Sequence, residues 1–218
     1  MSKTAKIALI VLTVFGVFIL VIFYLNLQKN RPFGEAGPPA EQSKRILATK
    51  PQVTFLDPTI GPADAKVTIV EFADFRCPHC VAVGAEIKKI LNAYPGDVRL
   101  VWKDFPFLPP ADLSWQAHEA ARCAGEQKKF WEYHDALFAD QKYYSALYFL
   151  ELASTLSLDK EMFTECLRSG KMKPLVRRSF DEGEALGIDG APYFFINGER
   201  WSGELTKEKI EEFMSGNK

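Results

Sequence analysis

Apolar residues along this chain fall into runs of different length and period, and each run predicts an element. From Ile7 to Leu27 the run is continuous: 21 residues carry no charge, and only Thr13, Tyr24 and Asn26 are polar. At about 1.5 Å per residue a helix of that length spans roughly 30 Å, the thickness of a bilayer's hydrocarbon core. A cleaved signal peptide has a shorter apolar region, about 7–15 residues, ending in a small-residue site. Here "LNLQKNRPF" follows instead. Residues 7–27 are therefore expected to form an uncleaved transmembrane anchor behind a short cytoplasmic tail, residues 1–6. Lys3 and Lys6 face Lys29 and Arg31 across it, so charge orients it only weakly, and the short tail favours the N-terminus inside. Residues 28–51 are rich in Pro, Gly and charge without an apolar period, and read as a flexible linker.

Beyond the linker the patterning is that of a packed domain. Val67–Phe72 is a short β-branched and apolar run, suited to a strand buried on both faces. In "HCVAVGAEIKKILNAYP" the residues Val81, Val83, Ile87, Ile90 and Leu91 recur at helical spacing, and Pro95-Gly96 ends the helix. Val98–Trp102 reads as a second strand, which makes a βαβ unit with parallel strands. Residues 113–187 show three or four helices and no strand signal. "APYFFINGERWSG" then gives two aromatic-rich runs joined by Asn197-Gly198, a strong hairpin signal. A last helix is capped by Thr206 and ends near Gly216. The expected organisation is a mixed-sheet α/β domain: a first half over 52–112, a helical insertion over 113–187 and a second half over 188–218.

Charge narrows the function classes. The 27 basic residues less Lys3, Lys6, Lys29 and Arg31 leave 23 against 28 acidic ones in the soluble part. No basic run is long enough to suggest nucleic acid, no internal repeat is visible, and no stretch reads as a dimerisation module, so a monomer is expected.

The candidate chemistry lies in "FRCPHC", residues 75–80. Two cysteines at this spacing can be a zinc half-site, a structural staple or a redox centre. Zinc needs about four ligands, and Cys123, Cys166, His118 and His134 form no second close pair. A bridge inside Cys-x-x-Cys closes too small a loop to stabilise much. The redox reading has positive support. A strand followed at once by Cys-x-x-Cys at a helix start places Cys77 over free backbone N–H groups and the positive end of the helix dipole, both of which stabilise a thiolate. Pro78 suits the first helical turn. Cys80, one turn in, would be the buried resolving thiol, and His79 can add charge or a hydrogen bond. No cofactor and no metal are expected, because the sulfurs carry the electrons.

"PTIGPADAKVTIVEFADFRCPHC", "VWKDFPF", "ARCAGEQKKFWEYHDALF", "ECLRSGK" and "GIDGAPYFFINGE" together resemble the DsbA family of thiol:disulfide oxidoreductases, over about residues 57–215. The resemblance implies a thioredoxin fold interrupted by a helical domain, preceded here by one transmembrane helix. It implies Cys77 as the nucleophile, Cys80 as its partner, and Pro192 as a cis-proline beside the sulfurs that leaves the Ala191 backbone free to pair with an extended substrate. Many relatives carry Thr or Val where this chain has Ala191, so redox potential and substrate choice do not transfer. The resemblance further implies reduced, unfolded secreted proteins as substrates, a DsbB-like membrane quinone reductase as reoxidant, and a bacterial inner-membrane location with the globular part in the periplasm.

Glu71 interrupts the first strand six residues before Cys77 and is expected to be a partly buried carboxylate that relays a proton for Cys80, with Lys103 nearby. Cys123 and Cys166 are either buried free thiols or, in an oxidising compartment, a structural bridge; it would close a loop worth roughly 4 kcal/mol in the chain-entropy model. His118 and His134 read as packing or surface residues on amphipathic helices. "FPFLPP" either lines an apolar peptide groove or is a turn packed on the core. Two other functions fit the same motifs: a thiol reductase or isomerase, and a peptide-binding chaperone module with a structural disulfide.

Overall fold

The computed structural model describes residues 16, 17, 19–22, 24, 49–106 and 113–216. The chain divides into two units, Met1–Ile46 and Leu47–Lys218. In the first, the described residues are helical and exposed. The rest of the expected anchor, and all of the linker but residues 49–51, lies outside the described residues. Among the described residues no helix is long and apolar enough to cross a membrane.

The second unit carries a five-stranded mixed sheet. Its strands are β1 (Thr59–Ile60), β2 (Val67–Ala73), β3 (Val98–Asp104), β4 (Tyr193–Ile196) and β5 (Glu199–Trp201). They lie side by side in the order β1-β3-β2-β4-β5. β2 and β3 run parallel, joined by helix α1 (Pro78–Ala93); the other pairings are antiparallel. The Asn197-Gly198 turn between β4 and β5 has both residues at positive φ, 51° and 83°, the geometry that matches strand twist in a two-residue hairpin. Helix α7 (Lys207–Ser215) closes the unit, with the Thr206 hydroxyl accepting from Lys209 N–H and Gly216 in the left-handed conformation.

Alternation along β2 and β3 decides what each face of the sheet touches. Val67, Ile69, Val98 and Leu100 pack with Ile87 and Ile90 of α1 and Ile210 of α7. Val70, Phe72, Val101 and Phe105 face the other way, with Leu186, Ile188 and Phe195. Helix α6 (Lys173–Ala185) covers that second face through Gly183, where an added Cβ would come within 2.6 Å of the Phe105 ring. The closeness of helix and sheet there depends on the absent side chain.

The block between the two halves holds five helices rather than three or four: α2 (Leu113–Gly125), α3 (Phe130–Ala139), α4 (Ala146–Thr155), α5 (Lys160–Ser169) and α6. The reason is local. The long amphipathic stretch from Leu113 breaks after Gly125, where Lys128 turns to a φ of 61°, and the chain restarts as α3. Strand β1 was also not expected, since two residues are too short for a period to show. Helix α2 is buried from Ser114 to Ala124 except at Gln116, and its alanines at 117, 120, 121 and 124 let neighbours approach closely. Cys123 of α2 and Cys166 of α5 are disulfide-bonded, with Cα atoms 5.8 Å apart.

Candidate active site

Chain direction places the cysteine pair. β2 ends at Ala73 and a four-residue bend leads into α1, whose N-cap is Cys77 in extended conformation (φ −83°, ψ 117°) and whose first residue is Pro78. In a cap the side chain takes up backbone N–H groups that the first turn leaves free. Here the acceptor is sulfur: Cys80 N–H donates to Cys77 Sγ at 3.3 Å. Cys77 and Cys80 are not bridged; Cys77 is half-buried and Cys80 fully buried. On the other side of Cys77 lies the β4 approach. The Ala191–Pro192 bond is cis, and Cys77 Sγ lies 3.3 Å from the Ala191 carbonyl oxygen.

Acidity follows from these contacts. The Cys80 thiol, then the Cys80 and His79 backbone N–H groups, hold the Cys77 thiolate, and together they outweigh burial and the charge of Asp74, bringing its pKa down to about 6. Contact with the Cys77 sulfur and burial push Cys80 far up, so the inner thiol keeps its proton. His79 contributes through its main chain; its side chain is exposed, as is Pro78.

Glu71 is buried at 2% exposure, and Oε1 has no hydrogen-bond partner among the described residues. The register pairs it with Trp102 on β3 and Phe194 on β4, so its surroundings are apolar. Burial first, and the Cys77 charge second, raise its pKa to about 8, which leaves it a neutral acid at pH 7. The expected partnership with Lys103 does not occur. Lys103 pairs in register with Phe72, on the opposite face of the sheet. There its ammonium is buried between Asp57 (3.0 Å) and Glu182 (2.9 Å) and donates to the Gln52 carbonyl.

A second set of polar residues lies under the bend, and the sequence reading passed over it. Asp74 accepts from Arg76 N–H at 2.9 Å and from the Ser114 hydroxyl. His118 is fully buried; its Nδ1 is 2.8 Å from Asp104 Oδ1 and its Nε2 3.7 Å from Asp74 Oδ1. Asp104 also accepts from Trp102 Nε1 and Arg122 Nε. So His118 is neither a surface nor a simple packing residue. A signal was present: Ser114, His118 and Arg122 recur at i, i+4, i+8, a polar stripe down one face of an alanine-rich buried helix. His134 is packed instead among the rings of Phe75, Trp102, Trp131 and Phe138. The helical block also grips the bend directly: Gln141 Nε2 donates to the Phe75 and Cys77 carbonyls, and Tyr144 to that of Phe75. Of the "FPFLPP" stretch, Phe105 is buried against Phe72 and Phe180, while residues 107–110 lie outside the described residues.

A parallel βαβ unit, a sulfur-capped helix and a cis Ala191–Pro192 bond whose Ala191 carbonyl faces the sulfur now stand together, and a family model described as Thioredoxin matches residues 54–215. The chain belongs to the thioredoxin family. Its fold is similar to that of a thioredoxin-like oxidoreductase from Silicibacter pomeroyi DSS-3 (26% identity, TM-score 0.66, covering 75% of this chain and 92% of that one). It is similar also to BdbD from Bacillus subtilis (23%, TM-score 0.67, 78% and 97%) and to the thiol-disulfide exchange protein alpha-DsbA2 from Wolbachia pipientis (21%, TM-score 0.66, 75% and 88%). The thioredoxin fold that the motifs implied is borne out by the family model and these neighbours. Among curated sequences it is similar to the Na(+)/H(+) antiporter NhaA 3 of Salinispora tropica, 32% identical over 180 residues, which is 79% of this chain. The chain spans 28% of that relative's length, so the antiporter name describes a protein most of which is unmatched here.

Proposed function

We propose that this protein is a thiol:disulfide oxidoreductase that introduces disulfides into reduced, unfolded secreted proteins. Residues 7–27 hold it in the bacterial inner membrane as a single-pass protein, with the thioredoxin-fold part in the periplasm. The observation that carries the reading is Cys77 Sγ, half-buried at the α1 N-cap, bonded by Cys80 N–H and 3.3 Å from the Ala191 carbonyl. A thiolate stabilised by the Cys80 thiol and by the Cys80 and His79 N–H groups favours the reduced form of the pair, which makes the disulfide a strong oxidant.

In the oxidising cycle a substrate thiolate attacks Sγ of Cys77 in the Cys77–Cys80 disulfide. The new bond joins substrate to Cys77, and Cys80 leaves as a thiolate that takes a proton, with neutral Glu71 as the acid buried on its side of the sheet. A second substrate thiolate then attacks the mixed disulfide and Cys77 departs as a thiolate. The substrate loses two electrons and the enzyme gains them. Ala191 and Pro192 border the reacting sulfur, where an extended substrate backbone would align. Reoxidation falls to a membrane quinone reductase of the DsbB type, and the protein acts as a monomer without a bound cofactor.

Trapping tests the reading. Cys80→Ala, expressed in the full chain, should accumulate mixed disulfides through Cys77 with secreted proteins, and in the reduced parent iodoacetamide should modify Cys77 half-maximally near pH 6. An inert Cys77 and no trapped partner would favour a binding module instead. A Cys77–Cys80 pair found reduced in cells would turn the direction to reductase or isomerase.

A further inference from the structure

We propose that His118 is a positioning residue for the redox centre: its buried positive charge, lodged between the Asp74 and Asp104 carboxylates, compensates the acid beneath the nucleophile's bend, so that the Cys77 sulfur works beside a neutralised carboxylate rather than a bare one. The proposal rests on Cys77 being the nucleophile.

His118 is fully buried, with one ring nitrogen on each carboxylate. Nδ1 is within hydrogen-bond reach of Asp104; Nε2 at 3.7 Å from Asp74 is beyond it, so the coupling to Asp74 is one of charge. Asp74 is fixed by the Arg76 N–H and the Ser114 hydroxyl, and the Cys77 N–H bonds the Asp74 carbonyl at 3.0 Å. The carboxylate is thus locked to the backbone that carries the sulfur. Phe75, within the same bend, lies over the His118 ring at 4.7 Å between centroids, which closes the site to water from that side.

The charged groups around the ring come from every element packed on it. Asp74 belongs to the bend and Asp104 to β3. Arg122 lies on α2, already committed to Asp104 through Nε at 2.7 Å, and His134 on α3. Burial alone would favour a neutral His118, but the two carboxylates outweigh it and raise its pKa. Burial lowers the pKa of His134, which Asp135 only partly offsets, so that ring stays neutral and does not compete. Burial would raise Asp74, yet His118, Arg76 N–H and Ser114 bring it down to about 2, so it remains charged across the working range. Its charge opposes the Cys77 thiolate.

Opposite substitutions should therefore act in opposite directions. His118→Gln removes the imidazolium charge from beside Asp74 and should lower the Cys77 thiolate fraction about tenfold at a given pH below its midpoint, moving the couple about 30 mV toward reducing values. Asp74→Asn leaves the imidazolium uncompensated on that side and should raise the thiolate fraction. The double variant should return near the parent. Alkylation rate against pH and a glutathione equilibrium read both quantities in the full chain. Shifts of the same sign in the two single variants would mean that both merely loosen the bend, and would overturn the proposal. Nitrogen NMR of His118 in the unmodified protein is independent of any variant's folding: a doubly protonated ring at pH 7 is expected, and a neutral one overturns the proposal. None of these readouts needs a protein substrate. If they hold while Cys80→Ala traps nothing, the exchange function fails and the assignment of His118 stands.

Discussion

Replacing Glu71 by Gln should make the protein more stable, and increasingly so as pH rises. The carboxyl sits between Trp102 and Phe194, and its pKa rises from an ordinary 4.5 to about 8. Since the folded value lies above the unfolded one, the folded chain holds this proton more tightly. The associated stability is complete below about pH 4.5 and is lost as pH rises through about 8. At 1.36 kcal/mol per pH unit the whole span is worth about 5 kcal/mol, of which about 3 is already lost at pH 7. Glutamine keeps the shape and removes the titration, leaving only a constant cost for its buried amide. Urea unfolding of parent and variant at pH 5, 7 and 8.5, with Cys77 and Cys80 reduced, measures the difference. The gap between the two curves should widen by several kcal/mol from the lowest pH to the highest. It should widen less when the pair is oxidised, because the Cys77 charge contributes to the shift. Parallel curves would refute the argument that Glu71 is buried as a neutral acid. The same variant should also form the mixed disulfide more slowly, since Cys80 then leaves without its proton source; an unchanged rate across pH would remove that role.

Two further outcomes follow from the packing. Lys103→Met should cost about 3–5 kcal/mol in chemical denaturation, because it takes the buried cation from between Asp57 and Glu182 and leaves Asp57 only the half-exposed Arg178; a loss under 1 kcal/mol would show that the cluster is solvated. Cys123→Ser with Cys166→Ser should lower stability by about 2–5 kcal/mol while leaving the Cys77 alkylation profile in place, and a shifted profile would mean that the bridge also shapes the active-site bend.

The sequence disclosed most where its signals are local. Cys77, Pro78 and Cys80 could be placed at a helix start because the strand before them and the helix after them each carry their own period. The Asn197-Gly198 hairpin and the Thr206 cap were legible for the same reason. What depends on pairing across strands was not. Lys103 was expected beside Glu71 because both interrupt neighbouring strands, but the register offsets them by one residue, and one residue turns a side chain to the opposite face. The Asp74–His118–Asp104 set gathers residues from a bend, a helix and a strand, and only the stripe on α2 showed along the chain. Five α-helices rather than three or four came from the break after Gly125, completed at Lys128, a residue type that seldom takes a positive φ.

The Lys103 cluster also has a mechanical consequence. Gln52 lies close to where the described part of the second unit begins. Its carbonyl is held by Lys103 and its N–H by Glu182, while Thr54 and Asp57 are held by Arg178. Any tension arriving along the chain ahead of residue 52 is therefore handed to β3 and α6, on the face of the sheet opposite Glu71. The Leu56 carbonyl in turn accepts from Arg122, which also holds Asp104, so the same leading segment is tied to the polar set under the bend that carries Cys77.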